Sequence, residues 1–264
     1  MNLIHLSGGN KVLAGNVLIS CKGSDEEILP FGDFITATAE ADLRFIIKTS
    51  AAAGGEGKNV IFSWGDGQVD TVAFSGNAGG YMVDITHTYT TPAAGTPVSI
   101  KIADDDNSYI YYFRCVGGAG RTEIDTITGN WDVIAPELDE LRVSNSPFDK
   151  ITFSDAEKIT TIHAAYAMGP AALDLTNLIN LEYLTVGSNP RVTEIDISTN
   201  TKISYLNAAY TDIDVNTVNH IGLALDSFGL SNGTVYVQGN PAPTGAGLAA
   251  YTNLTAKGWT VSHA

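Results

Sequence analysis

The amino-acid sequence predicts a mainly β chain in two parts, an antiparallel β-sandwich followed by a solenoid that closes on short helices near the C-terminus. An apolar triplet with spacing i, i+3, i+5 recurs at Leu138-Leu141-Val143, Ile159-Ile162-Ala164, Leu181-Leu184-Val186 and Ile203-Leu206-Ala208, its starts 21, 22 and 22 residues apart. Upstream, short alternating runs are separated by Gly, Asp and Asn clusters. A period in the twenties marks turns that bury an apolar edge only against their neighbours. Short strands between turn clusters mark an antiparallel sandwich. The 264 residues exceed the usual single-domain size, and 44% hydrophobic residues suffice for two real cores.

The first element, residues 1–33, holds apolar Val12-Leu13 and Val17-Leu18-Ile19 and the acidic Asp25-Glu26-Glu27. Two readings stand level: an arm that attaches the chain to neighbouring proteins, or an extra hairpin tied to the next sheet. The start lacks a basic stretch followed by a continuous apolar run, and no segment approaches the ~20 apolar residues of a spanning helix. If Met1 is the natural start, export by the usual secretory route is not expected, and neither is a membrane-spanning helix.

The second element spans residues 34–117. Leu43-Phe45-Ile47, Val60 to Trp64, Thr71 to Phe74, Tyr81 to Ile85, Val98 to Ile102 and Tyr109 to Phe113 read as strands. Ala53-Gly54-Gly55, Gly65-Asp66-Gly67, Ser75-Gly76-Asn77 and Asp104 to Ser108 read as turns. This spacing predicts an immunoglobulin-like β-sandwich. Gly65 and Gly67 permit the turn's backbone angles, Asp66 can bond turn amides, and Trp64 or Tyr89 supplies core area. Trp64-Gly65-Asp66-Gly67 and the later His87-Thr88-Tyr89 resemble the PKD-like (polycystic kidney disease repeat) sandwich over about residues 34–115. The resemblance implies a spacer or adhesion module, not a catalyst; an ordinary hairpin turn in another sandwich is the competing reading.

The third element, residues 118–264, carries the triplets. A second apolar row, Ile151 and Phe153, Leu173 and Leu175, Ile195 and Ile197, Ile213 and Val215, follows the triplet starts by 13, 14, 14 and 10 residues. It predicts two short strands per turn. Leu181, Leu184, Val186 and Asn189 resemble the leucine-rich repeat consensus Leu-x-x-Leu-x-Leu-x-x-Asn, a likeness covering roughly residues 121–240. It implies that Asn189 bonds backbone groups at a bend; Ser146, Ala167 and Thr211 stand there in the other turns and leave those bends to hydroxyl or backbone partners. Val218, Ile221, Leu225 and Phe228 predict a helix over 216–230, stopped by Asn232-Gly233. Val235 and Val237 predict a strand before Asn240-Pro241, Leu248, Tyr251 and Leu254 a second helix ending near Gly258, and Trp259 to Val261 a terminal strand that seals the stack.

Register arithmetic supplies the candidate site. With the triplets inward, Glu140 and Arg142, Thr161 and His163, Tyr183 and Thr185, Tyr205 and Asn207, and Thr234, Tyr236 and Gln238 face outward. Tyrosine joins a rigid apolar ring to a polar tip. Arg142, His163, Tyr183, Thr185, Tyr205, Asn207, Tyr236 and Gln238 are therefore the candidate ligand-binding set, although ordinary exposed strand residues have the same composition.

Catalytic patterns are weak. His5, His87, His163, His220 and His263 form no zinc spacing. Gly229-Leu230-Ser231-Asn232-Gly233 has the letters of a nucleophile elbow, but a helical run precedes Ser231 and a strand follows, the reverse of what an elbow needs. Asp104-Asp105-Asp106-Asn107, and Asp66 with Asp70, read as solvated turns because no Asp-x-Asp-x-Asp-Gly loop with a distal Glu follows. No catalytic residue, cofactor or metal ligand is expected. Cys21 and Cys115 are too few for a disulfide scaffold. The formal charge of −15, from 14 basic and 29 acidic residues, argues against nucleic acid as a partner. Sandwiches joined to leucine-rich repeats resemble bacterial surface proteins, and a bacteriophage particle, assembled in the cytoplasm and acting outside, reconciles that with the missing export signal. The expectation is a virion protein (head fibre, decoration or tail-associated subunit), with a bacterial cell-surface adhesion or glycan/protein-binding module second and an enzyme accessory domain below both. Its partners would be other virion proteins or a host-surface protein or glycan. No heptad supports a coiled-coil trimer, so homo-oligomer formation stays open.

Overall fold

The computed structural model describes residues 12–14, 17–22, 25–30, 35–38, 43–49, 59–77, 80–88, 97–104, 110–115, 124–127, 137–144, 150–151, 158–166 and 172–263. The expectations placed on His5, Ala53-Gly54-Gly55, Tyr89, Asp105 to Asn107, Ser146, Phe153 and Ala167 lie outside the described residues. The chain is mainly β. Strands β1 (Val12–Ala14), β2 (Val17–Lys22) and β3 (Asp25–Pro30) pair antiparallel in an up-and-down sheet of their own.

Nine strands follow: β4 (Ile35–Thr38), β5 (Leu43–Thr49), β6 (Asn59–Ser63), β7 (Val69–Ala73), β8 (Ser75–Asn77), β9 (Gly80–His87), β10 (Pro97–Asp104), β11 (Ile110–Cys115) and β12 (Ile124–Ile127). One expectation is corrected here. Ser75-Gly76-Asn77 is an edge strand, not a turn, because it pairs with Gly80 to Met82 and the Ser75 hydroxyl donates to the Met82 carbonyl at 3.1 Å. Alternation places Phe45, Ile47 and Phe113 inward from β5 and β11, where they are buried. Phe62 comes from another sheet, yet its ring lies 6.1 Å from that of Phe45 and 5.1 Å from that of Trp64, so residues of both sheets share a core.

The remaining strands are short: β13 (Glu140–Arg142), β14 (Lys150–Ile151), β15 (Thr161–His163), β16 (Ala172–Leu173), β17 (Tyr183–Thr185), β18 (Glu194–Ile195) and β19 (Tyr205–Asn207). Helix α1 (Val215–Ser227), β20 (Thr234–Tyr236), helix α2 (Gly245–Ala256) and β21 (Thr260–Ser262) complete the chain. From β13 to β21 the main strands pair parallel and in register, aligning Leu141, Ile162, Leu184, Leu206, Val235 and Val261 side by side. All but Val261 are fully buried, each worth about 1.5–3 kcal/mol of apolar transfer.

This ladder does not stand apart. Strand β11 pairs antiparallel with β5 on one side and parallel with β13 on the other, so Phe113 lies beside Leu141 and the sheet runs β21-β20-β19-β17-β15-β13-β11-β5-β9-β8 without a break. A second junction joins β12, paired to β4, with β14. The buried apolar residues accordingly form one cluster from Phe45 to Trp259.

The second strand row is less regular than its sequence suggests. Strands β16 and β18 pair with each other, but β14 belongs to the other sheet, and Val215 opens α1 instead of continuing a strand. The cause of the last change is local: the Asp214 carboxylate accepts the Thr217 amide at 2.8 Å and caps the helix there. The helix also ends before the predicted stop, at Ser227, with Gly229 at φ +74 supplying the left-handed residue. Helices α1 and α2 pack closely because Gly222 leaves room for the Tyr251 ring, which a Cβ would approach to 2.8 Å; the Tyr251 hydroxyl donates to the Val218 carbonyl. Leu248, expected on the inner face of α2, is exposed.

Bends between turns repeat. Three residues after β15, β17, β19 and β20 the chain turns left-handed, at Tyr166, Ser188, Tyr210 and Gly239. Asn189 is buried and its amide donates to the Ala164 carbonyl at 2.6 Å. Where Thr211 replaces it, the hydroxyl bonds the Ala208 carbonyl, and Asn240 of the next turn donates to that same carbonyl at 2.8 Å. Asn200, which the sequence pattern did not single out, bonds the Leu175 and Leu178 carbonyls from a fully buried position.

Candidate functional site

The pleat that turns Leu141, Ile162, Leu184 and Leu206 inward turns their neighbours outward on the opposite face. In one row stand Lys48, Tyr112, Glu140, Thr161, Tyr183, Tyr205 and Thr234; in the next, Arg114, Arg142, His163, Thr185, Asn207 and Tyr236. The predicted residues thus share one face, which extends onto strands of the first half.

Neighbouring side chains touch along this face. The Lys48 ammonium lies 4.4 Å from the centre of the Tyr112 ring, and the Arg142 guanidinium 5.7 Å from it. Arg142 also pairs with Glu140, whose Oε1 is 3.5 Å from His163 Nε2. The His163 ring is 4.8 Å from that of Tyr183; Tyr183 stacks on Tyr205 at 4.2 Å with planes 6° apart; Tyr205 meets Tyr236 edge-on at 6.1 Å. These offset and edge contacts suit the ring quadrupole and hold the tyrosines in place.

The environment shifts their protonation. Burial, helped by hydrogen bonding to Tyr205, pushes the Tyr183 phenol up to about 12. Burial also raises Tyr112. His163 is pushed below its usual value by burial first and by Arg142 second, with Glu140 opposing. At neutral pH the stripe therefore presents the Tyr183 phenol protonated and the His163 imidazole neutral.

Two predicted members differ from expectation. Thr185 is buried at 7% exposure, because its short side chain stands between His163 and Asn207 in register. Gln238 lies in the bend beyond β20, where its backbone carbonyl accepts the Tyr210 amide and its side-chain Oε1 is buried. Asn207 turns its carboxamide oxygen to the Ala209 amide at 3.0 Å, helping to form its own bend.

Sequence reasoning missed Lys48, Tyr112 and Arg114. Alternation in Leu43–Thr49 and Ile110–Cys115 places them opposite Ile47 and Phe113, but their sheet neighbours depend on the β11 to β13 pairing. It also missed Tyr166 and Tyr210, exposed at 68% and 61% on the left-handed bends beside the face. A bulky residue is costly there.

Other candidates are occupied by structural bonds. Asp66 accepts the Gln68 amide at 2.9 Å and contacts His87 Nε2 at 3.0 Å, while Asp70 accepts from the Trp64 indole at 2.8 Å. The His87 ring stacks on Trp64 at 4.4 Å. Ser231 is exposed between α1 and β20. A shallow groove at the strand starts is crossed by bonds between successive turns, Lys158 to Glu137, Thr160 to Asp139 and Lys202 to Asn180. Among the described residues no three His, Cys, Asp or Glu side chains gather as a metal site, and no helix is long and apolar enough to cross a membrane.

No protein-family model matches the chain, and neither a curated protein nor a solved structure does.

Proposed function

We propose that the chain is a non-enzymatic attachment protein, a leucine-rich-repeat-like solenoid built onto an immunoglobulin-like, PKD-like sandwich, displayed on a bacteriophage virion as a head fibre, decoration or tail-associated subunit. The observation that carries the reading is the stripe of Tyr183, Tyr205 and Tyr236, held ring to ring on one face of the parallel ladder. Rigid aromatics with hydroxyl tips provide contact area at little entropic cost. The solenoid reading is supported by the 21- and 22-residue intervals, the in-register pairing and the left-handed residue recurring at the same point of each bend. The sandwich reading rests on the bonded Trp64, Asp66 and His87 and on the aromatic core between strands of two sheets.

The test joins binding to location. The purified chain, fluorescently labelled, attaches to bacterial cells, and a variant with Tyr183→Ala, Tyr205→Ala and Tyr236→Ala loses attachment while keeping its circular dichroism spectrum. Unaltered attachment removes the sheet face as the recognition surface. Immunogold labelling of particles supports the virion setting; labelling of a bacterial wall replaces it with cell-surface adhesion.

A further inference from the structure

The outward face carries a charge opposite to that of the chain. Acidic residues outnumber basic ones 29 to 14 overall, yet the described outward positions from β9 to β21 hold Arg44, Lys48, Arg114 and Arg142 against only Asp84 and Glu140. Arg44 is gripped by Asp84 at 2.7 and 2.5 Å, and Arg142 pairs with Glu140. Among the described residues no carboxylate forms an ion pair with Lys48 or Arg114, although Asp84, held by Arg44, lies close enough to feel the Arg114 charge. Lys48 sits over the Tyr112 ring, and Arg114 stands two residues from Tyr112 on the same face of β11. A basic end therefore adjoins a stretch of tyrosines, threonines and Asn207. From Lys48 on β5 to Tyr236 on β20 is six strand steps, roughly 29 Å at ~4.8 Å per step.

We propose that this face binds an extended acidic glycan, a chain of sugar rings bearing carboxylates, laid across the strands with its carboxylates at Lys48 and Arg114 and its rings along Tyr183, Tyr205 and Tyr236. The inference rests on the attachment reading and adds the ligand's chemistry. Charge complementarity selects the anion, and the hydroxyl-rich remainder of the face matches a polyhydroxylated chain. An acidic peptide fits less well: peptides dock on open sheet edges or in side-chain pockets, whereas every strand of this face, β5, β11, β13, β15, β17, β19 and β20, is paired on both sides. The chain's overall negative charge is screened within ~8 Å at physiological salt, so the local cations govern at contact.

Calorimetric titration of the full chain tests this with alginate and hyaluronate oligosaccharides, uncharged maltohexaose, and polyglutamate. Binding of a carboxylated glycan is expected, weakened by added salt and reduced about tenfold or more in a Lys48→Gln, Arg114→Gln double variant, as loss of charge-assisted bonds requires. An unchanged circular dichroism melt shows that the double variant is folded. Four results overturn the proposal: no binding of either carboxylated glycan, equal binding of maltohexaose, equal binding of polyglutamate, or undiminished glycan binding by the double variant. The triple tyrosine variant on cells separates the two claims. If it loses cell attachment while the carboxylated glycans fail to bind, the acidic glycan falls and the attachment face stands.

Discussion

Replacing Leu184 with Ala asks whether the ladder and the first half melt as one body. Leu184 is 0% exposed on β17, flanked in register by Ile162 and Leu206. The substitution removes three carbons, a transfer loss of about 2.4 kcal/mol at ~0.8 kcal/mol each. Rungs on both sides hold the gap open, and the cavity raises the total to about 3–5 kcal/mol. Val261 provides the comparison: partly exposed on terminal β21, it has a paired strand on one side only, so Val261→Ala should cost about 1 kcal/mol or less. Urea unfolding, followed by far-ultraviolet circular dichroism and by fluorescence of variants keeping only Trp64 or only Trp259, measures both. Trp64 lies in the first half's aromatic core and Trp259 beside the last strand, so the two report opposite ends of the buried cluster. Leu184→Ala should lower both midpoints together. A Trp259 transition that shifts while the Trp64 transition stays fixed would refute the shared core. A cost no greater than that of Val261→Ala would refute the rung argument itself.

Three further outcomes are expected. Asp66→Ala removes a contact of the buried His87 and the acceptor of the Gln68 amide and should cost about 1–2 kcal/mol; an unchanged thermal melt would contradict the bonding at that turn. A double-mutant cycle on Tyr183 and Tyr205, each changed to Leu, should show about 0.5–1.5 kcal/mol of coupling from the stacked rings, and additive losses would mean that the rings do not support each other. Because burial and Arg142 hold His163 below its usual 6.5, the unfolded chain takes up its proton first as pH falls. The stability contribution is therefore complete above about pH 6.5 and declines as pH drops toward the lowered folded value; His163→Gln should remove that decline, and identical pH profiles of stability would contradict it.

Periodic burial was legible in the sequence because it is local. Leu138, Leu141 and Val143 announce their spacing within six residues, and the repeat of that spacing then sets the register of every later rung. Alternation likewise gave β5, β6 and β9 to within a few residues. What escaped was decided at a distance. Ser75 to Asn77 carries turn residues, yet an available edge of β9 makes it a strand. Thr185 occupies an outward position, but its larger neighbours cover it. Left-handed Tyr166 and Tyr210 could not be anticipated, since intrinsic preference would put glycine or asparagine there. The cations Lys48 and Arg114 were visible as letters and not as part of a site, because nothing local says that β11 pairs with β13.

That pairing is what gives the face its character. A run of parallel strands must cover its first and last apolar edges, and here the two ends are covered differently. At the far end α1, α2 and Trp259 close over the last rungs, with the Trp259 indole donating to the Leu230 carbonyl at 3.0 Å. At the near end no extra helix is needed, since β11 offers Phe113 to Leu141 and three parallel register partners to β13. The first half is thus the ladder's cap as well as a neighbour to it. Because β11 continues antiparallel into β5, the cap brings its own outward residues into the same surface and adds Lys48 and Arg114 to the ladder's Arg142. A spacer joined by a flexible linker would leave Tyr112, Lys48 and Arg114 on a separate body; a shared sheet fixes their strands in register with those of Tyr183 and Tyr205. Charge and aromatic surface are therefore held on one preorganised sheet, and the proposed ligand would meet both without the entropy cost of bringing two bodies together.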